Sequence, residues 1–140
     1  MSETAPPSAP ARLPATLGAA LARGFMGRCP RCGEGRIFRS WLKPRAACPC
    51  CQLDMSGQRS DDFPAYISIF LTGHILVPAI IILVLDYDLS AWTLAAILMP
   101  LALVMLLGWL QPAKGAVIAQ QWWFGMHGFK RERLPEGDSR

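Results

Sequence analysis

Two apolar runs set the plan of the chain. From Phe63 to Leu85 there are 23 consecutive residues without Lys, Arg, Asp or Glu, and from Ala91 to Leu110 another 20. Only the pentapeptide Asp86-Tyr87-Asp88-Leu89-Ser90 separates them. At about 1.5 Å per residue, helices of these lengths cover roughly 34 and 30 Å, the thickness of a hydrocarbon core. A bilayer offers no water to backbone amides, so such runs predict spanning helices, not strands. The pattern predicts a membrane α protein: a two-helix transmembrane hairpin (63–85 and 91–110) with a C-terminal interfacial segment, and the short N-terminal part, where all five cysteines stand in closely spaced groups, predicts a small zinc-ribbon-like knob.

Outside the hairpin the periodicity fades. Residues 1–22 hold four of the twelve prolines among Ala, Ser, Thr and Leu, a composition that predicts a disordered tail. A cleaved signal peptide is disfavoured, because no basic residue precedes Arg12 and no sustained apolar core follows it. Residues 23–58 carry all five cysteines among Gly, Pro and Arg and predict a loop-rich knob, with Arg36 to Leu42 offering a short strand or hairpin arm. Asp61 and Asp62 stand directly before Phe63-Pro64. Two carboxylates at the positive end of a helix and a proline in its first turn are explained by capping; a cation contact at the membrane mouth is the functional alternative. Past Leu110, Gln111-Pro112 is expected to end the second helix. Residues 112–129, with Lys114, Trp122, Trp123, Phe124, Met126 and Phe129, then read as an interfacial segment, and 130–140 as a polar tail whose Lys130, Arg131 and Arg133 meet anionic lipid.

Charge orients the hairpin. Nine of the fourteen Lys and Arg precede Phe63, five follow Leu110, and the connecting loop carries only Asp86 and Asp88. The positive-inside bias therefore predicts a multi-pass protein with both termini in the cytoplasm. The net charge of +4 is accounted for by topology and lipid headgroups, and no aromatic-interleaved basic surface points to nucleic acid.

The most specific chemistry is in the cysteines. Cys29-Pro30-Arg31-Cys32 and Cys48-Pro49-Cys50-Cys51 form two C-x2-C knuckles across a fifteen-residue spacer, the pattern of a four-cysteine metal site. Two residues between thiolates let the chain curl so that both sulfurs face one ion, and two knuckles complete a tetrahedron. Four thiolates with no open position suit structural zinc; a one-iron thiolate centre is the alternative. Disulfides fit poorly with a reducing cytoplasmic face and an odd cysteine count. Cys29, Cys32, Cys48 and Cys51 are the expected ligands, and Cys50 is the spare, because pairing it would break the two-residue gap.

With these elements placed, the chain resembles the domain of unknown function 983 family, short bacterial inner-membrane proteins with an N-terminal four-cysteine ribbon. The resemblance covers roughly Arg23 to Phe129 and rests on Arg28 to Gly35 with Phe38, the second knuckle, Asp61 to Tyr66, Gly73-His74, Lys114-Gly115 and Gln121-Trp122. Gln52 departs from it, standing where glycine is usual. The resemblance implies a bacterial inner-membrane location and, through the company such proteins keep in genomes, a part in cytochrome oxidase and respiratory-complex biogenesis; it implies no activity.

Within the runs, His74 is the one midplane ionisable group. It is either a neutral imidazole bonded to the partner helix, Thr72 or a carbonyl loosened by Pro78, or a haem or copper ligand or partner contact. Ala65, Ser68, Thr72 and Ala79, and Ala91, Ala95 and Ala102, form small faces that suit close packing between the two helices or against another copy. No carboxylate pair, activated nucleophile or phosphate-binding loop suggests an enzyme. The expected role is a non-enzymatic interaction or assembly module whose basic surface and Trp41 dock a membrane-protein partner. The alternative is a redox or metal-handling factor that delivers metal to a membrane enzyme.

Overall fold

The computed structural model describes residues 12–129; the expected tail at 130–140 and the first eleven residues of the one at 1–22 lie outside the described residues. Five elements follow in order: α1 (Leu17–Phe25), β1 (Phe38–Ser40), β2 (Lys43–Pro44), α2 (Phe63–Tyr87) and α3 (Ala91–Phe124).

The helices α2 and α3 fold back on each other through a tight connection. Asp88 ends α2 in a left-handed conformation, and the Ser90 side chain accepts a hydrogen bond from the Thr93 amide to start α3. Against α3, α2 buries a narrow stripe, Pro64, Ser68, Thr72 and Leu76, at the four-residue spacing that keeps one helix face. The Ser68 hydroxyl is satisfied within its own helix, donating to the Pro64 carbonyl at 2.9 Å. Along α3 the half-buried seam is Leu94, Leu98, Ala102, Met105 and Trp109, whereas Ala91 and Ala95 are exposed. The small face expected on the second run is therefore mostly large apolar side chains, with Ala102 alone of its alanines in the seam. The outward positions stay apolar: Leu85 is 76% exposed and Trp92 87%. Both helices are long and apolar enough to cross a membrane.

Three expectations are corrected. First, α3 does not end at Gln111-Pro112 but runs through Pro112 to Phe124. An internal proline costs a helix about 3 kcal/mol. Beyond it, Val117, Ile118, Trp122 and Trp123 are all buried, and at about 1.5–3 kcal/mol for each buried large side chain their packing outweighs that cost. Second, the aromatic residues of 112–129 do not form the outward-facing strip expected of an interfacial segment: Trp122, Trp123 and Phe129 lie inside the knob with Ile118. Third, residues 17–22 are not tail but part of α1, whose start is fixed by Thr16 accepting from the Ala19 amide. This helix crosses α3 where two glycines meet. A Cβ on Gly115 would run into the Gly24 carbonyl oxygen, and one on Gly24 would lie 2.6 Å from the Ala119 Cβ, so the crossing admits only bare backbone.

The knob is thus assembled from both ends of the described chain. Its core joins Ala20 of α1, Phe38 of β1, Cys29, Ile37, Cys48, Cys51, Leu53 and Met55 from the loops, Ile118, Trp122 and Trp123 from the end of α3, and Phe129 just beyond it. Neither flank alone has enough apolar surface for a core; together they make one. The arm expected at Arg36 to Leu42 supplies β1, which pairs antiparallel with β2.

Candidate metal centre

Each C-x2-C knuckle sits at the tip of a loop closed by a single antiparallel bridge, Arg28 with Arg36 and Ala47 with Asp54. The two turns repeat each other. The Gly33 amide donates to the Cys29 carbonyl at 2.8 Å, and the Gln52 amide to the Cys48 carbonyl at 3.0 Å. Both residues are left-handed, Gly33 at φ 75° and Gln52 at φ 58°. Gln52 therefore makes the glycine's turn despite its Cβ, so its departure from the resemblance leaves the knuckle intact.

The turns bring Cys29, Cys32, Cys48 and Cys51 together, with all four Sγ atoms within 4.8 Å of one another. Cys29 and Cys51 are 3.7 Å apart, as are Cys32 and Cys48. A disulfide needs about 2.05 Å. Sulfurs held about 2.3 Å from a central ion at tetrahedral corners have edges of about 3.8 Å. The observed separations fit a four-thiolate metal site, and all five cysteines are free. Gly35 closes one side, since a Cβ there would strike the Cys48 sulfur. Cys50 is exposed and stands outside the four.

Metal-free, the thiols differ. Burial pushes the Cys29 thiol far up and that of Cys51 up to about 11. For Cys32, desolvation pulls upward, but the amides of Gly35 and Glu34 and the thiols of Cys48 and Cys51 prevail and bring it down to about 7. The Gly35 N–H points at the Cys32 sulfur from 3.5 Å. A cation at the centre would displace the remaining protons and remove the cost of burying sulfur charge.

Arginines brace the two knuckles. Arg31 donates to the Cys51 carbonyl at 3.1 Å, tying the first knuckle to the second. From α1, Arg23 donates to the Pro30 and Arg31 carbonyls at 3.2 and 3.3 Å.

The other singled-out residues do not join the centre. Asp61 and Asp62 are both exposed. Asp62 holds the N-cap position of α2, yet its side chain makes no cap hydrogen bond, so the expected capping reduces to two carboxylates near the positive helix end. Pro64 is buried in the first turn. His74 is exposed on α2; its Nδ1 lies 2.9 Å from the Phe70 carbonyl, and its ring is 4.0 Å from that of Phe70. It bonds its own helix, neither Thr72 nor α3.

The knob is joined to the helices by residues that carried part of the resemblance but had no expected role at this joint. The buried Gln121 side chain accepts from the Arg59 amide at 3.2 Å and donates to the Arg59 carbonyl. Lys114 donates to the Leu42 carbonyl at 2.9 Å, holding the β1–β2 turn. A glutamine among aromatic residues was the available signal, since an amide both donates and accepts and can replace a strand partner for an incoming backbone.

A family model described as "Protein of unknown function (DUF983)" matches residues 38–122. Neither the curated proteins nor the solved structures contain a match.

Proposed function

The chain belongs to the DUF983 family of proteins of unknown function, and on that footing we propose that it is a non-enzymatic, multi-pass protein of the bacterial inner membrane. Two helices anchor it, both termini face the cytoplasm, and the knob holds one structural zinc ion and serves as an interaction module. The carrying observation is the four-sulfur cluster inside a core shared with α3. Cys29 and Cys48 are fully buried, Cys51 is 5% exposed and Cys32 is half-buried; four thiolates fill a tetrahedral coordination sphere and leave no open position for a substrate. An iron ion would fit the same ligands and would colour the protein. The membrane placement is supported by the exposed apolar flanks of α2 and α3, which are costly in water and favourable in lipid. The cytoplasmic termini are supported by the basic residues on either side of the hairpin.

The partner on this reading is another membrane protein, or a second copy, contacting the knob where Trp41 stands 53% exposed at the β1–β2 turn. The connection to cytochrome oxidase assembly rests on the resemblance alone. A metal-delivery role would require the ligands to exchange, and the burial of Cys29, Cys48 and Cys51 favours retention.

Crosslinking in native membranes, followed by identification of the bound protein, tests the interaction role. A reporter fused after Arg140 tests the orientation: activity only in the periplasm would overturn it, and release of the protein by alkaline carbonate would overturn membrane insertion itself.

A further inference from the structure

We infer that α1 is a third membrane-contacting element, its outward face seated in the headgroup layer of the bilayer; this rests on the membrane reading of α2 and α3. A surface helix of a soluble domain turns charge outward and apolar groups inward. Here the arrangement is reversed. The single charged residue of α1, Arg23, is turned toward the knob, donating to the Pro30 and Arg31 carbonyls of the first knuckle and, at 2.8 Å, to the Arg12 carbonyl ahead of the helix. The exposed positions are Gly18, Ala22 and Phe25, followed by Met26, with Phe25 44% and Met26 66% exposed. An open apolar groove between α1 and α3, lined by Leu21, Ala22, Phe25, Met26 and Ala116, continues that face.

The depth agrees. The helix crosses α3 at Gly115, five residues past Leu110, the end of the apolar run. That is about 7.5 Å along the axis, close to the roughly 5–7 Å of interfacial layer on each side of the hydrocarbon core. From there Phe25 reaches toward the apolar band, its ring 6.1 Å from that of Trp109. Beside Met26, the exposed Arg28 and Arg36 share a recess with Glu34 and with Gln111, the first residue after the apolar run, and the two guanidinium groups outnumber the one carboxylate. Two guanidinium groups at that level complement lipid phosphate. Apolar residues directed at the bilayer and arginines at its phosphates are the two halves of an interfacial helix site.

The test uses the full chain, zinc-loaded, in vesicles of phosphatidylethanolamine and phosphatidylglycerol, with the photoreactive residue p-benzoylphenylalanine in place of Met26, Leu103 or Ser56. Leu103 reports the spanning region. Ser56 is exposed beside Gly57, which meets the His127 carbonyl past the far end of α3, and serves as the distal control. Phospholipid adducts detected by mass spectrometry at Met26 and Leu103, and none at Ser56, are the expected result. Adducts at Leu103 without adducts at Met26, or a protein crosslink at Met26 instead, would overturn the role of α1 while leaving the hairpin in the membrane. No lipid adduct at Leu103 would overturn the membrane reading itself.

Discussion

Replacing Gly115 by alanine isolates the crossing that attaches α1 to α3. In a helix interior, glycine to alanine ordinarily stabilises by about 0.5–1 kcal/mol, because the unfolded chain loses freedom. Gly108 and Gly115 share α3, and on propensity alone Gly108→Ala and Gly115→Ala should behave alike. Space separates them. A Cβ at Gly108 meets nothing within 4 Å, whereas at Gly115 it runs into the Gly24 carbonyl oxygen and approaches the Phe38 ring to 3.5 Å. The obstacle is backbone and cannot rotate aside, so α1 must retreat and uncover Ala20 and the face of Ile118. Overpacking of this kind costs about 1–3 kcal/mol, with a rigid obstacle toward the upper end. We expect Gly115→Ala to destabilise by about 2–3 kcal/mol, lowering the thermal midpoint by roughly 5–10 °C, while Gly108→Ala leaves it unchanged or slightly raised. The fluorescence of the buried Trp122 and Trp123, followed on heating in detergent micelles, reads the difference. Equal midpoints for the two variants would refute the glycine crossing.

Other outcomes follow from the centre and the joint. Gly35→Ala drives a methyl into the Cys48 sulfur and should weaken metal affinity at least about tenfold, equivalent to about 1.4 kcal/mol, in chelator competition. Gln121→Ala strands the amide and carbonyl of Arg59 and should cost about 1–3 kcal/mol, with faster amide exchange around Arg59; unchanged exchange would remove Gln121 from the joint. Metal affinity should fall with pH, because burial holds the protons of Cys29 and Cys51, the latter with a pKa of about 11. Displacing those two protons alone gives at least about a hundredfold loss for each pH unit lowered, steepening below pH 7 as Cys32, at about 7, also binds a proton. A pH-independent affinity would show that the thiols are not the ligands.

The helical runs and the four-cysteine cluster were legible because each has a strong local signature: long uncharged stretches in one case, paired two-residue gaps in the other. What escaped was longer in range. Pro112 reads as a stop on its own, and only the burial of Ile118 and Trp122 against cysteine loops some seventy residues earlier explains why α3 continues. Trp122 and Trp123 carry the composition of a membrane belt, but their neighbours in the fold, not their residue type, place them in a core. The first helix was hidden for the opposite reason. Its Ala, Gly and Leu show no polar face, because one side meets α3 and only Arg23 is directed at the knob. The missing capping bond at Asp62 and the outward His74 likewise depend on backbone angles and helix rotation, which residue order does not specify.

The central claim, one ion held by Cys29, Cys32, Cys48 and Cys51 in a knob built onto α3, is tested most directly by metal analysis with X-ray absorption on the full-length protein purified from membranes. The account predicts one zinc per chain with four sulfur neighbours at about 2.3 Å, retained in Cys50→Ser and lost when any of the four ligands is changed to serine. Nitrogen or oxygen in the coordination sphere, a substoichiometric ion, or metal retained without Cys29 would contradict it.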